Sequence, residues 1–367
     1  MDLNHILDWL VGLVKAGPEW VVTAVLLPFI WKLLNRLRKW LSNKLGCCRK
    51  IRHALKNVSQ EGRGLWLTTP LRQPKNYRAN VQTSIPVLLI ANLKGGVGKT
   101  TLAANLTASY AAQALQNGEK PVLVIDLDFQ GSLSAMMLTD PQRLPTGGQL
   151  SKGSELISGK IDGKWLIDSA VLVPNVNHAY CIPSYYDLAS VENRIMVEWL
   201  LQEEKKDIRY SLARIFHDPV VKATFSRIII DAPPRMSVGL IQALCASTKL
   251  LIPTKLDLLS IEAVDNFLVQ LNDHRHIFPE LGYAGIAGTM IAGQANQDQG
   301  VQVLSNILAK HGNPTQILPQ ATFIPNITRI GWATGQPQGE RVIYANPSNA
   351  QAFQGIRANF DSIRNAI

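Results

Sequence analysis

The chain has 367 residues, 46% hydrophobic and 17% charged, enough apolar material to bury a large core without disulfide staples. Its four cysteines, Cys47, Cys48, Cys181 and Cys245, form no CxxC pair, which argues against a zinc or iron–sulfur site and for a reducing compartment. The formal charge of +10 is uneven: residues 1–84 carry fourteen Lys/Arg against four acids, and residues 85–367 carry twenty-three of each sign.

The first elements read as helical. Leu3, Ile6, Leu7, Leu10, Val11 and Val14 recur at helical spacing, predicting a short amphipathic helix that Gly17-Pro18 ends. Trp20 to Trp31, WVVTAVLLPFIW, carries no charge. As a helix it covers about 18 Å, short of the ~30 Å hydrocarbon core. Snorkelling of Lys32 extends the stretch through Leu34 and brings a single span within reach, and the terminal tryptophans suit a membrane interface.

From Lys32 to Lys56 there are nine Lys/Arg and no acid, with Ile30, Leu34, Leu37, Leu41 and Leu45 on one face. This basic amphipathic pattern suits an anionic lipid surface, at about 1 kcal/mol per basic residue. The positive region follows the apolar stretch, which argues against a signal peptide. Residues 1–57 are therefore expected to associate with a membrane, lying on it or crossing it once with the basic flank cytoplasmic. A helical hairpin packed on the protein itself or on a partner is the alternative. Residues 58–84 mix Gly, Pro and polar residues without periodicity and read as a linker.

From Ile85 apolar runs alternate with helical stretches. The expected strands are Val87–Ala91, Pro121–Asp126, Ala179–Pro183, Arg227–Asp231, Leu250–Pro253 and Gly285–Ile291. The expected helices are Thr100–Gln116, Leu188–Phe216, Ser237–Ala246, Ser260–His274 and Val301–His311. Such alternation predicts an α/β domain over 85–367, a doubly wound, mainly parallel sheet with helices on both faces.

Its strongest local signal is VLLIANLKGGVGKTTLAANL, an apolar strand, a glycine-rich loop and a helix opening near Lys99. Gly95, Gly96 and Gly98 permit unusual backbone angles and close approach of amides to phosphate. The helix N-terminus adds its positive end. Lys99 can charge-pair with terminal phosphates, and the Thr100 hydroxyl is placed for Mg²⁺.

The loop KGGVGKTT resembles the deviant Walker A loop of the ParA/MinD family, with Leu93 where the common pattern has its first glycine and an added lysine, Lys94. The resemblance implies a P-loop ATPase using ATP and Mg²⁺, with Lys94, Gly95, Gly96, Val97, Gly98, Lys99, Thr100 and Thr101 around the nucleotide. VLVIDLDFQGSLS is similar to the family's second motif, implying that Asp128 orients the attacking water and Asp126 lies near the metal. The family has proline where this chain has Phe129. RIIIDAPP resembles Walker B and implies Asp231 in the metal's water shell, and FIPNITRIGWATGQP resembles the stretch beside the adenine, with Pro325 and Asn326 as base contacts.

In the resembling family the lysine equivalent to Lys94 reaches across a dimer interface. The resemblance thus implies a homodimer when ATP is bound, an activating or cargo protein, and a location at the cytoplasmic face of a bacterial inner membrane. A regulatory module acting on a membrane complex fits the same site. A DNA-binding partition ATPase is another reading, opposed by the neutral balance of residues 85–367. A membrane-linked tyrosine autokinase is opposed by a final forty residues holding only Tyr344.

Overall fold

Four- to six-residue apolar runs bounded by helices are what a parallel sheet covered on both faces requires, and that is the architecture found. The computed structural model describes residues 31–32, 35–36, 38–39, 46, 52, 65–67, 71–201, 206–291, 294–326, 341–345 and 354–367. The chain divides into two units, 1–70 and 71–367. In the first, the described residues from 31 to 52 are helical and Leu65–Leu67 form a 3-10 turn. Most of the expected membrane segment lies outside the described residues. No helix among the described residues is long and apolar enough to cross a membrane.

The second unit opens with α1 (Tyr77–Thr83), β1 (Val87–Ile90), α2 (Lys99–Gln116), β2 (Val122–Asp126) and α3 (Ser132–Met137). After several short helices come β3 (Val171–Leu172), β4 (Ala179–Ile182), α4 (Asp187–Leu201), β5 (Arg227–Asp231) and α5 (Val238–Ala246). The chain continues through β6 (Lys249–Thr254), α6 (Leu258–His274), β7 (Gly282–Ile291), α7 (Gln294–Lys310), β8 (Ile324–Pro325) and α8 (Gln354–Ala366). The eight strands form one sheet in the order β3-β4-β2-β5-β1-β6-β7-β8. Every pairing is parallel except that of the edge strand β3 with β4.

The central strands VLLI, VLVID and IIID are buried at every position, so no polar face is available to break the helical layers above and below. α2 lays Leu102, Ala103, Leu106 and Tyr110 in one core with Ile90, Val124 and Ile229, and α8 closes it with Phe360 and Ile363. Each fully buried side chain of this kind contributes about 1.5–3 kcal/mol. The six expected strands are all present. β3 and β8 escaped notice because two residues carry no periodicity.

The helix expected over Val301–His311 begins earlier, as α7 at Gln294, and two other differences from the sequence-based expectation have a physical cause in the packing. The stretch expected as one helix over Leu188–Phe216 is broken after α4. There the Asp207 carboxylate takes Arg209 N, Nε and Nη2, with Nη2 at 2.7 Å, and Arg72 N at 3.1 Å. Arg209 also lies 4.5 Å over the Trp199 ring. An ion pair this deep, both side chains 1% exposed, persists because its hydrogen bonds are filled.

The second difference is that residues 71–84 belong to the α/β unit, not to a linker. Tyr77 is 4% exposed, donates its hydroxyl to Cys245 O at 2.6 Å, and meets Tyr210 edge-on at 5.0 Å. Ser84 bonds to His217, whose desolvated ring is pushed down to about 4. A polar helix with two buried anchors, Tyr77 and Val81, shows no stripe in sequence. Tyr77→Ala should cost the folded protein about 3–5 kcal/mol in urea unfolding; a change near zero would mean that α1 is a detachable linker.

Candidate functional site

In open α/β sheets ligands bind beyond the carboxyl ends of the strands, and here three central strands deliver chemistry to that edge. β1 runs directly into the loop Lys94–Gly98. β5 lies beside it, with Ile90 in register with Asp231. β2 lies on the far side of β5, with Asp126 in register with Asp231. Two aspartates therefore end adjacent strands beside the loop.

The loop is held from behind. Asn92, fully buried, donates Nδ2 to Pro253 O at 2.8 Å and accepts Lys94 N at 3.0 Å. Thr289 of β7 shares its hydroxyl proton between Val97 O at 2.8 Å and Thr254 O at 3.2 Å. A bulge at Met290, with φ of 52°, falls at this point of β7. Neither residue is among the expected site residues, since each acts by holding the backbone of another segment.

Gly96 and Gly98 have φ of 69° and 80°, the left-handed region that favours glycine. Open space surrounds the position where a side chain on Gly95 or Gly96 would stand. α2 starts at Lys99 with no side-chain cap, so no capping side chain competes for its first-turn amides. The loop and the helix start together have the form of an anion cradle.

Lys99 is buried, and Nζ donates to Lys94 O at 2.8 Å. Burial lowers its pKa, against the pull of Asp231 and Asp128, which favour the charged form. Thr100 Oγ1 donates to Asp231 Oδ2 at 2.7 Å. Asp231 Oδ1 is buried with no hydrogen-bond partner. Burial, then the neighbouring Asp126, hold the Asp231 carboxyl far above the usual range.

An orphaned buried oxygen beside a threonine hydroxyl fits Mg²⁺, which takes one or two protein ligands and keeps several waters. Among the described residues no group of three His, Cys, Asp or Glu forms a protein-only metal cage, and this ion does not need one.

Asp126, expected near the metal, stands beside Asp231 at the end of the neighbouring strand and is held by protein donors. Its Oδ2 accepts Ser134 N at 2.9 Å and Ser134 Oγ at 2.7 Å, and its Oδ1 accepts Asp128 N at 3.0 Å. Burial pushes its carboxyl up to about 7 against those bonds. With both oxygens committed to protein donors, it braces the turn that carries Asp128. In that turn Asp128 accepts Gln130 N at 3.1 Å, and Gly131, φ 62°, closes it where a Cβ would stand 2.7 Å from Ser184 O.

The expected base contacts lie apart from this group. Pro325, in β8 three strands from β1, pairs with Ile291 of β7, and Asn326 N donates to Ile291 O at 2.9 Å. Ile291 also lines a cleft of about 350 Å³ with Lys255, Leu258 and Met290. Lys94, Gly95, Gly96, Val97, Gly98, Lys99, Thr100 and Thr101 form the loop and the first turn of α2, gathered with Asp231 and Asp128.

The chain is similar to known proteins in sequence and in fold. A family described as AAA domain matches residues 85–278. An uncharacterized protein of Pseudomonas putida is 30% identical over 205 residues, 56% of this chain and 69% of that protein. The sporulation initiation inhibitor protein Soj of Bacillus subtilis is 27% identical over 268 residues, 72% of this chain and 93% of Soj. In fold, apo McdA from Cyanothece aligns with a TM-score of 0.58 at 19% identity, over 77% of this chain and 99% of McdA.

A metal held at Asp231 would compete with a proton there. Because burial raises its carboxyl, the magnesium dependence of nucleotide binding should strengthen as pH rises over the range in which the protein stays folded. Calorimetric titrations across that range check this, and a flat profile would mean that Asp231 is ionised throughout.

Proposed function

We propose, on the premise that this chain belongs to the AAA-domain family of ParA/MinD-type P-loop ATPases, that it is a nucleotide-controlled association switch working at an anionic membrane surface. The observation that carries this reading is the meeting of Lys99, Thr100 and Asp231 beside an uncapped helix start and a loop open above Gly95 and Gly96.

In this reading the ATP phosphates lie against the loop amides and the start of α2, where the backbone dipoles favour negative charge. Lys99, already desolvated, lends its charge to the terminal phosphates without reorganising. Thr100 and Asp231 are the residues that would hold magnesium, which would supply charge neutralisation to the phosphate oxygens. Asp128 orients a water in line with the γ-phosphorus. The new P–O bond forms as the bond to the ADP oxygen breaks, and the water's proton leaves toward solvent or phosphate. Positioning and charge placement supply most of the catalysis. The adenine lies toward Pro325 and Asn326.

Lys94 sits half-buried at the mouth of the loop, close enough to Asp257 to lower that carboxyl together with Ser260 and Lys255. We assign it to the nucleotide of a second copy, so that ATP joins two subunits and hydrolysis releases them. A protein activator or cargo reads that state. The basic residues of 1–57 supply the attraction to anionic lipid on the cytoplasmic face, and it weakens as salt rises.

Lys99→Ala should weaken ATP binding at least about tenfold, the loss of a charge-assisted phosphate contact. Lys94→Ala should keep ATP affinity within about twofold and lose ATP-dependent dimerisation, read by light scattering, because it removes only a contact across the interface. Full-length protein should sediment with vesicles of anionic phospholipid and release at high salt. Equal binding to neutral vesicles would remove the electrostatic part of the model, and unchanged dimerisation in Lys94→Ala would remove the switch.

A further inference from the structure

Phe129, directly after Asp128, stands where the ParA/MinD pattern has proline. Proline fixes its own φ and stiffens a turn without help. Phenylalanine does not, so the stiffness that proline would add to the local bonds of Asp126 and Gln130 has to come from outside the turn. The structure supplies it. The Arg235 guanidinium carbon lies 5.1 Å from the Phe129 ring centre, within the range of a cation–π contact.

That guanidinium is anchored. Arg235 Nη2 donates to Glu192 Oε2 at 2.5 Å, and Glu192 Oε1 accepts Gly239 N at 3.2 Å. Glu192, on α4, is 7% exposed, whereas the Arg235 side chain is 48% exposed. The buried carboxylate thus holds the arginine to the first turn of α5, and the arginine holds the aromatic ring. Arg235 stands four residues after Asp231, so the clamp ties the segment after β5 to the turn after β2. These two segments carry the metal-side and the water-side carboxylates.

We propose that Arg235 is a positioning residue: by clamping Phe129 against Glu192 it fixes the Asp128 turn relative to Asp231. The catalytic part of this rests on the reading that Asp128 orients the attacking water. The clamp replaces the stiffness that proline would supply from within the turn, and it makes the turn responsive to whatever touches the exposed face of Arg235.

Full-length protein and the variants Phe129→Leu, Arg235→Ala, the two combined, and Phe129→Pro in the Arg235→Ala background test this. Phe129→Leu leaves the Glu192–Arg235 pair intact, so it separates the clamp from any folding defect caused by an unpaired Glu192. Each single variant should lower kcat about tenfold with ATP affinity within about twofold, since an interaction used only in the reacting state has gone. The double variant should be no slower than the slower single, because both remove one contact. The proline variant should recover activity. Losses that multiply, an equal fall in ATP affinity, or no recovery with proline overturn the proposal.

Amide hydrogen exchange over residues 127–131 without nucleotide reads the clamp by itself. It should speed up alike in Phe129→Leu and Arg235→Ala, and unchanged exchange overturns the proposal whatever the ATPase assay gives. A wild-type protein that takes up no ATP would instead defeat the ATPase reading, with the exchange result still deciding the clamp.

Discussion

The architecture of the site depends on one arrangement: two aspartates in register at the ends of adjacent buried strands, with the phosphate-binding loop on the third. Asp126 and Asp231 stand side by side where β2 and β5 finish, both nearly inaccessible to water. Two bare carboxylates there would repel each other and lose their hydration. The chain resolves the conflict by giving them different surroundings. Asp126 receives three protein donors, from Ser134 and Asp128. Asp231 receives the Thr100 hydroxyl on one oxygen and keeps the other free of protein partners.

That division turns one carboxylate into a brace and the other into a group that a cation would relieve. A magnesium ion bound near Thr100 would compensate the Asp231 charge and the phosphate charges together. The same logic accounts for Lys99, which is desolvated but lies within the field of Asp231 and Asp128. Charge in this pocket is costly to hold alone, so a bound anion and cation would each lower the cost of the other.

The supports behind the site come from far along the chain. Asn92 ties the loop to the end of β6, Thr289 ties it to β7, and Asn105 of α2 accepts Tyr344 N from the C-terminal segment. On the other flank the Glu192–Arg235–Phe129 contacts join α4, the start of α5 and the Asp128 turn. Loop, turn and the end of β5 are thus fixed to a common sheet.

By itself the sequence determined the strand–helix alternation, the loop KGGVGKTT and the placement of Asp231 at a strand end, because these are written in local pattern: unbroken apolar runs, glycines at fixed offsets, a carboxylate closing a buried strand. It also located the charge excess in the N-terminal segment. Only the tertiary structure decided that Asp126 faces Ser134, that Asn92 and Thr289 carry the loop, that α1 belongs to the body, and that Phe129 is held by Arg235. Apart from Asp126–Ser134, eight positions apart, each of these is a contact between residues more than a hundred positions apart. Such a contact is set by strand order and register, and short-range periodicity carries no record of either.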